Sequence, residues 1–367
     1  GGSMEVGAVV IDDAHTCLDK AREATTLNIP QNHPLFKRIL GLFNDDLKYQ
    51  ANGTYQNLLK GDPYAKVLKV PYWSWLKRNE EIISLLGEYS EDPILLFKWG
   101  IIADDLKLYD CFVGNSGLEI APIHVPFYNI RAFHEAKHRY ILSATFEDQV
   151  DLVKDLGISK DSIKHALIPK YRKDVGLRLI LAPRRFDCNI SDDDMIAMAD
   201  KYSQQGNNVV VMVPSKERAK RWENVGASVI TKTNINEKMD LLKANKGGIY
   251  VLVNRYDGID LKGEMCRILI IDGYPSYTSF KQTYSELRLE AVRASLKSQI
   301  IEQGLGRAVR SGSDYCVVFL LGKEISQFVG NKNNLQYFTP VTKKQLNLGL
   351  NLLDGESKED SLNKIIE

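Results

Sequence analysis

From about residue 169 onward, short runs of β-branched and aliphatic residues alternate with polar stretches. The runs are "LRLILAP" (177–183), "NVVVMVPS" (208–215), "ASVIT" (227–231), "GIYVLVN" (248–254), "CRILIIDGYP" (266–275) and "YCVVFLLG" (315–322). The segments 191–205, 215–224, 236–245 and 278–310 between them carry helical spacing. Near-continuous apolar strands separated by helices predict an α/β fold with a parallel sheet covered on both faces. Upstream the pattern changes. Residues 20–128 show helical periodicity, as in "PLFKRILGLFNDDLKYQ", with few strand signals, so a mainly helical insertion is expected there. Strand-like runs flank it, "GAVVI" at 7–11 and "RYILSATF" at 139–146, and the two could belong to one sheet. The expected division is 1–19 and 129–168 as parts of one α/β unit, 20–128 as its insertion, 169–340 as a second α/β unit, and 341–367 as a polar tail. The aromatic residues of "VPYWSWL" (70–76) read as core or helix-packing residues, with a base-stacking surface as the alternative.

Composition narrows the classes without choosing among them. A chain of 367 residues has room for two or three domains. With 48 basic and 47 acidic residues the net charge is +1, so a nucleic-acid partner is neither demanded nor excluded; such binding needs a local basic groove. The five cysteines (Cys17, Cys111, Cys188, Cys266 and Cys316) form no CxxC pair. That pattern argues for a reducing compartment, and against a disulfide scaffold, a four-cysteine zinc site or an iron–sulfur cluster. No apolar run approaches the ~18 residues of a membrane span, and no signal peptide is evident. No membrane association and a cytoplasmic location are therefore expected.

Six stretches carry candidate chemistry. "VVIDDAH" (9–15) ends a strand in Asp12, Asp13 and His15. An acid at the carboxyl end of a buried strand is a place to hold nucleotide-bound Mg²⁺, and a second acid can orient the attacking water. The plainer reading of the pair is a strand followed by the Asp N-cap of the next helix. "FHEAKHRY" (133–140) fits His134-Glu135-x-x-His138, a zinc-peptidase pattern if one helix face presents both histidines. "SAT" supplies Ser143 and Thr145 after a strand. In "NRYDGIDLKG" (254–263), Gly258 permits close backbone approach and Asp260 offers an acceptor. In "QGLGRAVRSG" (303–312), Gln303, Arg307 and Arg310 are spaced by four and three, which would align them on one helical face; arginine forks match phosphate oxygens. A solvated basic face would have no need of Gly304 and Gly306, which weaken a helix. The basic stretch "PKYRKDVGLRLILAPRR" adds Lys170, Arg172, Lys173, Arg184 and Arg185, either as contacts to nucleic-acid phosphates or as a solvated face.

The order of these motifs resembles that of the superfamily 2 helicases: D-D-A-H, then S-A-T, then a strand leading to G-x-D, then Q-x-x-G-R-x-x-R. The position of the insertion and the stretch "NRYDGIDLKGEMCRILIIDGYP" are most similar to the XPD/DinG-like branch. The resemblance implies a RecA-like P-loop NTPase fold in which 1–19 and 129–168 belong to the first RecA-like domain and 169–340 is the second. It implies that ATP and Mg²⁺ act in the full-length protein, with Asp12 on the Mg²⁺ water shell and Asp13 in the place of the catalytic glutamate, one methylene short. His15 would link the nucleotide site to the second domain, and Ser143 and Thr145 would couple hydrolysis to strand movement. Gly258 and Asp260 would lie at the cleft. Gln303 would contact the γ-phosphate region, and Arg307 and Arg310 would be arginine fingers. The implied partner is nucleic acid, with single-stranded DNA as the expected form. The family's G-x-x-x-x-G-K-[ST] phosphate loop occurs nowhere in the chain, nor does the four-cysteine cluster that some relatives carry. Residues 4–367 are therefore expected to be the C-terminal part of a longer helicase, inactive without the missing N-terminal RecA-like portion. The alternatives are an ATP-switched nucleic-acid binding or remodelling module and, remotely, the zinc peptidase.

Overall fold

The first apolar run folds as a strand, and the chain then leaves the sheet for more than a hundred residues before returning to it. In chain order the N-terminal part contains β1 (Ala8–Ile11), α1 (Ala14–Thr25), β2 (Leu27–Pro30), α2 (Pro34–Leu59), β3 (Leu68–Lys69), α3 (Tyr72–Lys77), α4 (Asn79–Gly87) and α5 (Trp99–Ile102). It continues through β4 (Tyr109–Gly114), β5 (Gly117–Pro122), α6 (Arg131–His134), β6 (His138–Ile141), α7 (Gln149–Lys154) and α8 (Lys160–Lys164). The C-terminal part begins with β7 (Leu177–Leu181), α9 (Pro183–Phe186), α10 (Asp192–Gln204), β8 (Asn208–Val213), α11 (Lys216–Glu223), β9 (Ser228–Ile230) and α12 (Ile235–Ala244). There follow β10 (Gly248–Val253), β11 (Ile268–Asp272), α13 (Phe280–Arg288), α14 (Glu290–Leu305), β12 (Tyr315–Leu321), α15 (Lys323–Gly330) and α16 (Pro340–Leu353). The computed structural model describes residues 6–143, 149–167, 176–186, 190–231, 234–244, 247–253, 261, 263–274, 279–288, 290–309, 312 and 314–353. The chain divides into two units, 1–168 with 278–288, and 169–277 with 289–367.

In the first unit β1 and β6 pair in parallel, Ala8 opposite His138 through Ile11 opposite Ile141. The two runs that flank the insertion thus share one sheet, as their sequence suggested. Ala14 and Leu18 of α1 pack with Val125, Phe127, Phe133 and Leu152 beneath it.

The insertion differs from its sequence reading. Helices dominate it, but it also holds a four-stranded antiparallel sheet in the order β2-β5-β4-β3. Periodicity missed this sheet because "GLEIAP" is buried at every position and "YDCFVG" at all but one. With both faces covered, the alternation that marks a half-exposed strand is lost. One face meets α2, whose Leu35, Ile39, Phe43 and Leu47 recur every four residues on a single stripe. Phe112, Ala121 and Val67 line the other face, where Phe280 and Tyr284 of α13 pack on them. Gly114 makes this approach possible, since a Cβ there would lie 2.3 Å from the Phe280 ring.

The second unit bears out the α/β expectation. Its six strands run in the order β7-β12-β11-β8-β10-β9, with every pairing parallel. Alternate strand residues face opposite sides. Val210, Met212, Leu269 and Ile271 meet Ile301 and Leu305 of α14 together with Val329 of α15. On the other side Val209, Val211, Ile268 and Ile270 meet Met195 and Ala199 of α10 and Trp222 of α11. The expected tail at 341–367 needs correction over its first part. Residues Pro340–Leu353 form α16, Leu346 is buried, and Arg178 of β7 donates to Gln345 Oε1 at 3.0 Å. Gly349 rests so close to β7 that a Cβ would fall 1.8 Å from the Ile180 carbonyl oxygen. The polar residues that suggested a frayed tail lie beyond it, at 354–367, outside the described residues.

Candidate functional site

In the first unit β1 delivers Asp12 and Asp13 to its carboxyl end, both exposed. Asp13 adopts φ 58° and ψ 79°, the one non-glycine residue with positive φ among those described. Aspartate tolerates this left-handed conformation better than most residues do. Its carboxylate works locally as the N-cap of α1: Oδ1 accepts from the Thr16 amide at 3.3 Å and Oδ2 from the Thr16 hydroxyl at 2.9 Å. The amide of Ala14 donates to the carbonyl of Leu142 at 3.0 Å, which brings the end of β6 beside the start of α1. Ser143, the next residue, therefore sits close to the Asp12–Asp13 turn along the sheet edge. The His15 side chain and Thr145 lie outside the described residues.

The zinc-peptidase alternative depended on a helix that is not there. α6 ends at His134 and β6 opens at His138, so no shared helical face presents the two rings, while Glu135 pairs with Arg131 at 3.1 Å.

In the second unit Gln303 lies on the last turn of α14. The expectation that Gln303, Arg307 and Arg310 share one helical face fails at Gly306, because α14 ends at Leu305. The chain then tightens into turns, with the Gly306 amide donating to Glu302 at 2.9 Å and that of Arg307 to Gly304 at 3.1 Å. Two glycines within three residues make the helical end cheap to unwind. What the turn gains is contact with the other conspicuous loop. The amide of Leu261 donates to the carbonyl of Arg307 at 3.1 Å, and both Leu261 and Ala308 are buried. Leu261 thus lies beside the turn at Arg307, although more than forty residues separate them. Gly258, Asp260 and Arg310 fall outside the described residues.

A charged cluster that sequence reasoning did not single out occupies the carboxyl edge of the sheet, where β8 and β11 adjoin. Connections leave these two strands in opposite directions, the usual place for a crevice in an open parallel sheet. Asp272 ends β11 with its side chain buried. It accepts from Arg218 Nε at 3.0 Å, from the same guanidinium again at 2.6 Å, and from Trp222 Nε1 at 3.0 Å. Asp192 receives Arg218, Arg221 and Arg184, the last at 3.3 Å. The available signal was "SKERAKRW" (215–222), a basic run opening a helix directly after a strand. Of the expected phosphate contacts, Arg184 is drawn into this cluster and also donates to the Ile190 carbonyl at 2.8 Å. Arg185 lays its stem against Gly330. Lys170, Arg172 and Lys173 lie outside the described residues.

Burial alone would raise the Asp192 carboxyl, but the guanidiniums of Arg218, Arg221 and Arg184 hold it below the usual carboxylate range. A carboxylate depressed in the folded state contributes stability above its unfolded value near 3.9, and that contribution is lost as pH falls through the folded value. Urea unfolding midpoints should accordingly drop below about pH 4. In Asp192→Asn the drop should be shallower, which a midpoint series from neutral to acid pH would measure.

Residues 197–338 match the helicase C-terminal domain family. Among solved structures the chain is similar to an XPD helicase, at 17% identity over 94% of this chain and 67% of that one, with a TM-score of 0.47. It is also similar to Xpd4 of S. tokodaii, at 17% identity over 89% and 74% of the two chains, with a TM-score of 0.49. Dbp5 of S. cerevisiae bound to RNA and ADP BeF3 aligns at 12% identity over 60% and 57%, with a TM-score of 0.36. The comparison with curated proteins finds no match. Among the described residues no helix is long and apolar enough to cross a membrane, and no three His, Cys, Asp or Glu side chains gather as a metal site.

Proposed function

From a chain whose residues 197–338 match the helicase C-terminal domain family, we propose a role as part of an ATP-dependent nucleic-acid translocase or helicase. The observation that carries this reading is the bond between Leu261 and Arg307. It sets Leu261, which follows Gly258 and Asp260 in the sequence, against the turn that carries Arg307, and on this reading one conformational change moves both. Arg307 and Arg310 would neutralise charge that spreads over a phosphoryl group in flight, and Gln303 would orient its surroundings. Asp12 fits the acid that Mg²⁺ requires, since that ion takes one or two carboxylates and fills its remaining positions with phosphate oxygens and water. The chemistry supplied by Mg²⁺ and ATP is phosphoryl transfer to water. This sequence contains no phosphate-binding loop, so the reading assigns that loop to other sequence, and the chain by itself should neither bind ATP tightly nor hydrolyse it. Robust turnover by the chain alone, abolished in Arg307→Ala, would overturn this part.

The strand proposed as partner is single-stranded DNA. Arg185→Glu should weaken its binding and reduce the slope of log K against log salt by ~0.7 for each phosphate no longer neutralised. Titration of a labelled oligonucleotide at several salt concentrations checks this, and an unchanged slope removes Arg185 from the strand site.

A second reading, in which ATP acts only as a switch for binding or remodelling, draws on Asp13. Both of its carboxylate oxygens are engaged by Thr16 as a helix cap. An acid so occupied, and one methylene shorter than glutamate, is poorly placed to serve an attacking water. ATP-dependent binding of a strand without displacement of its complement would favour this second reading.

A further inference from the structure

The run "YAKVLKVPYWSWLK" (64–77) is the most aromatic surface of the insertion, and the structure separates its rings into two kinds. Trp75 is 2% exposed; its indole N–H donates to the Leu106 carbonyl at 2.9 Å and its ring stacks on Phe43 at 5.9 Å. It is a core residue, as the sequence reading supposed. Tyr72 and Trp73 depart from that reading, being 62% and 64% exposed, and Tyr64 is 92% exposed. The Tyr72 and Trp73 rings meet edge to face, with centroids 5.6 Å apart. α3 is anchored beneath them by Trp75 and the buried Ser74, so the two rings are presented on a fixed support.

Charge accompanies the rings. Between Asp62 and Glu80 the chain carries Lys66, Lys69, Lys77 and Arg78 and no acid. Lys69 is paired with Asp110 and Arg78 with Asp46, while Lys66 and Lys77 are exposed. Trp73 and Lys77 stand four residues apart on α3, hence on one face. Flat rings on a rigid support beside cations are what an unpaired strand needs, because every base has a face to stack and every phosphate a charge to neutralise. A protein interface would also favour Tyr and Trp but is poor in lysine, so the exposed lysines in this run favour a phosphate-bearing partner.

We propose that Tyr72 and Trp73, with Lys77, form a stacking platform for single-stranded nucleic acid on the insertion. The proposal rests on the nucleic-acid reading above and adds a contact on a different part of the chain. The test is anisotropy titration of a fluorescein-labelled oligothymidylate at fixed salt, repeated across salt concentrations. Trp73→Ala should weaken binding about tenfold with little change in salt slope, since stacking releases no counterions, and Trp73→Phe should restore most of the affinity. Lys77→Glu should weaken binding and flatten the slope. Circular dichroism establishes that each variant is folded. If the unaltered chain binds the strand and Trp73→Ala binds it equally well, the platform is wrong while the nucleic-acid reading stands. If the unaltered chain binds no strand at all, both fall. A Trp73→Ala variant that loses affinity only through a changed salt slope would also overturn the stacking role.

Discussion

Arg307→Ala should slow nucleic-acid-stimulated ATP hydrolysis in the intact protein by about 10³-fold or more, the scale on which an arginine finger acts. The expected loss falls on kcat, because in the proposed role the guanidinium would act on charge that develops during transfer and contribute less to holding the ground state. The backbone groups of Arg307 fix the turn, its amide on Gly304 and its carbonyl on Leu261, and both bonds survive removal of the side chain. Binding of the single strand should persist, and the urea midpoint reads separately what the side chain contributes to folding. Arg307→Lys keeps the charge but loses the planar fork that matches phosphate oxygens, and it should recover only a small part of the rate. Steady-state kinetics with ATP at saturating oligonucleotide, together with a urea midpoint for each variant, measures both. Hydrolysis that persists within tenfold of the unaltered rate would remove Arg307 from the reacting site.

Glu119→Ala is the second large effect, and it reads on stability. Glu119 is 1% exposed on β5, and its carboxylate accepts from the Ser279 hydroxyl at 2.8 Å, the Phe280 amide at 2.6 Å and the Lys281 amide at 3.0 Å. A carboxylate at the start of α13 caps its free amides, although it comes from about 160 positions away in the chain. Beside it the Lys281 ammonium donates to the carbonyls of Pro122 and Ile123. Burial, and to a lesser degree the nearby Arg22 charge, pushes Lys281 below the usual lysine range. Removing Glu119 strands three donors in a dry interface and should cost about 3 kcal/mol. Glu119→Gln keeps an acceptor oxygen but turns an amide N–H toward a donor, so an intermediate loss is expected. Urea unfolding gives the free energy, and hydrogen exchange over 280–288 should show α13 opening before the rest of the unit. Unchanged protection of that helix would show that its apolar face, Phe280 and Tyr284, suffices to hold it.

Much of the second unit was legible in the chain. All six strands lie within the apolar runs of the sequence, and α10, α11 and α12 match the helical segments to within a residue or so. α/β patterning is local, since a strand buried on both faces must be apolar along its length and a covering helix must repeat its apolar positions near 3.6. The candidate site was less legible. Asp12, Asp13 and Arg307 stood out by type and order, yet Asp13 proved to be a cap and Arg307 proved to lie past the helix end. The Asp192–Arg218–Asp272 cluster was signalled only by its basic run at 215–222, and nothing in the chain marked the two acids as its partners. Its members lie up to 80 residues apart, and only the sheet brings them to one edge.

The sequence by itself determined the alternation of strands and helices, the return of the chain from its insertion, and the order of the motifs. All of these follow from burial patterns that each segment carries within itself. Only the tertiary structure decided that β1 and β6 pair, that β4 and β5 are covered on both faces, that α13 belongs to the first unit, and that α16 docks on β7. Those outcomes depend on which distant surface a segment meets, and hydrophobicity is non-directional. An apolar stripe such as Phe280–Tyr284 calls for a partner without naming one. The choice was made by a buried carboxylate at Glu119 and a missing Cβ at Gly114, two residues that look ordinary until the chain is folded.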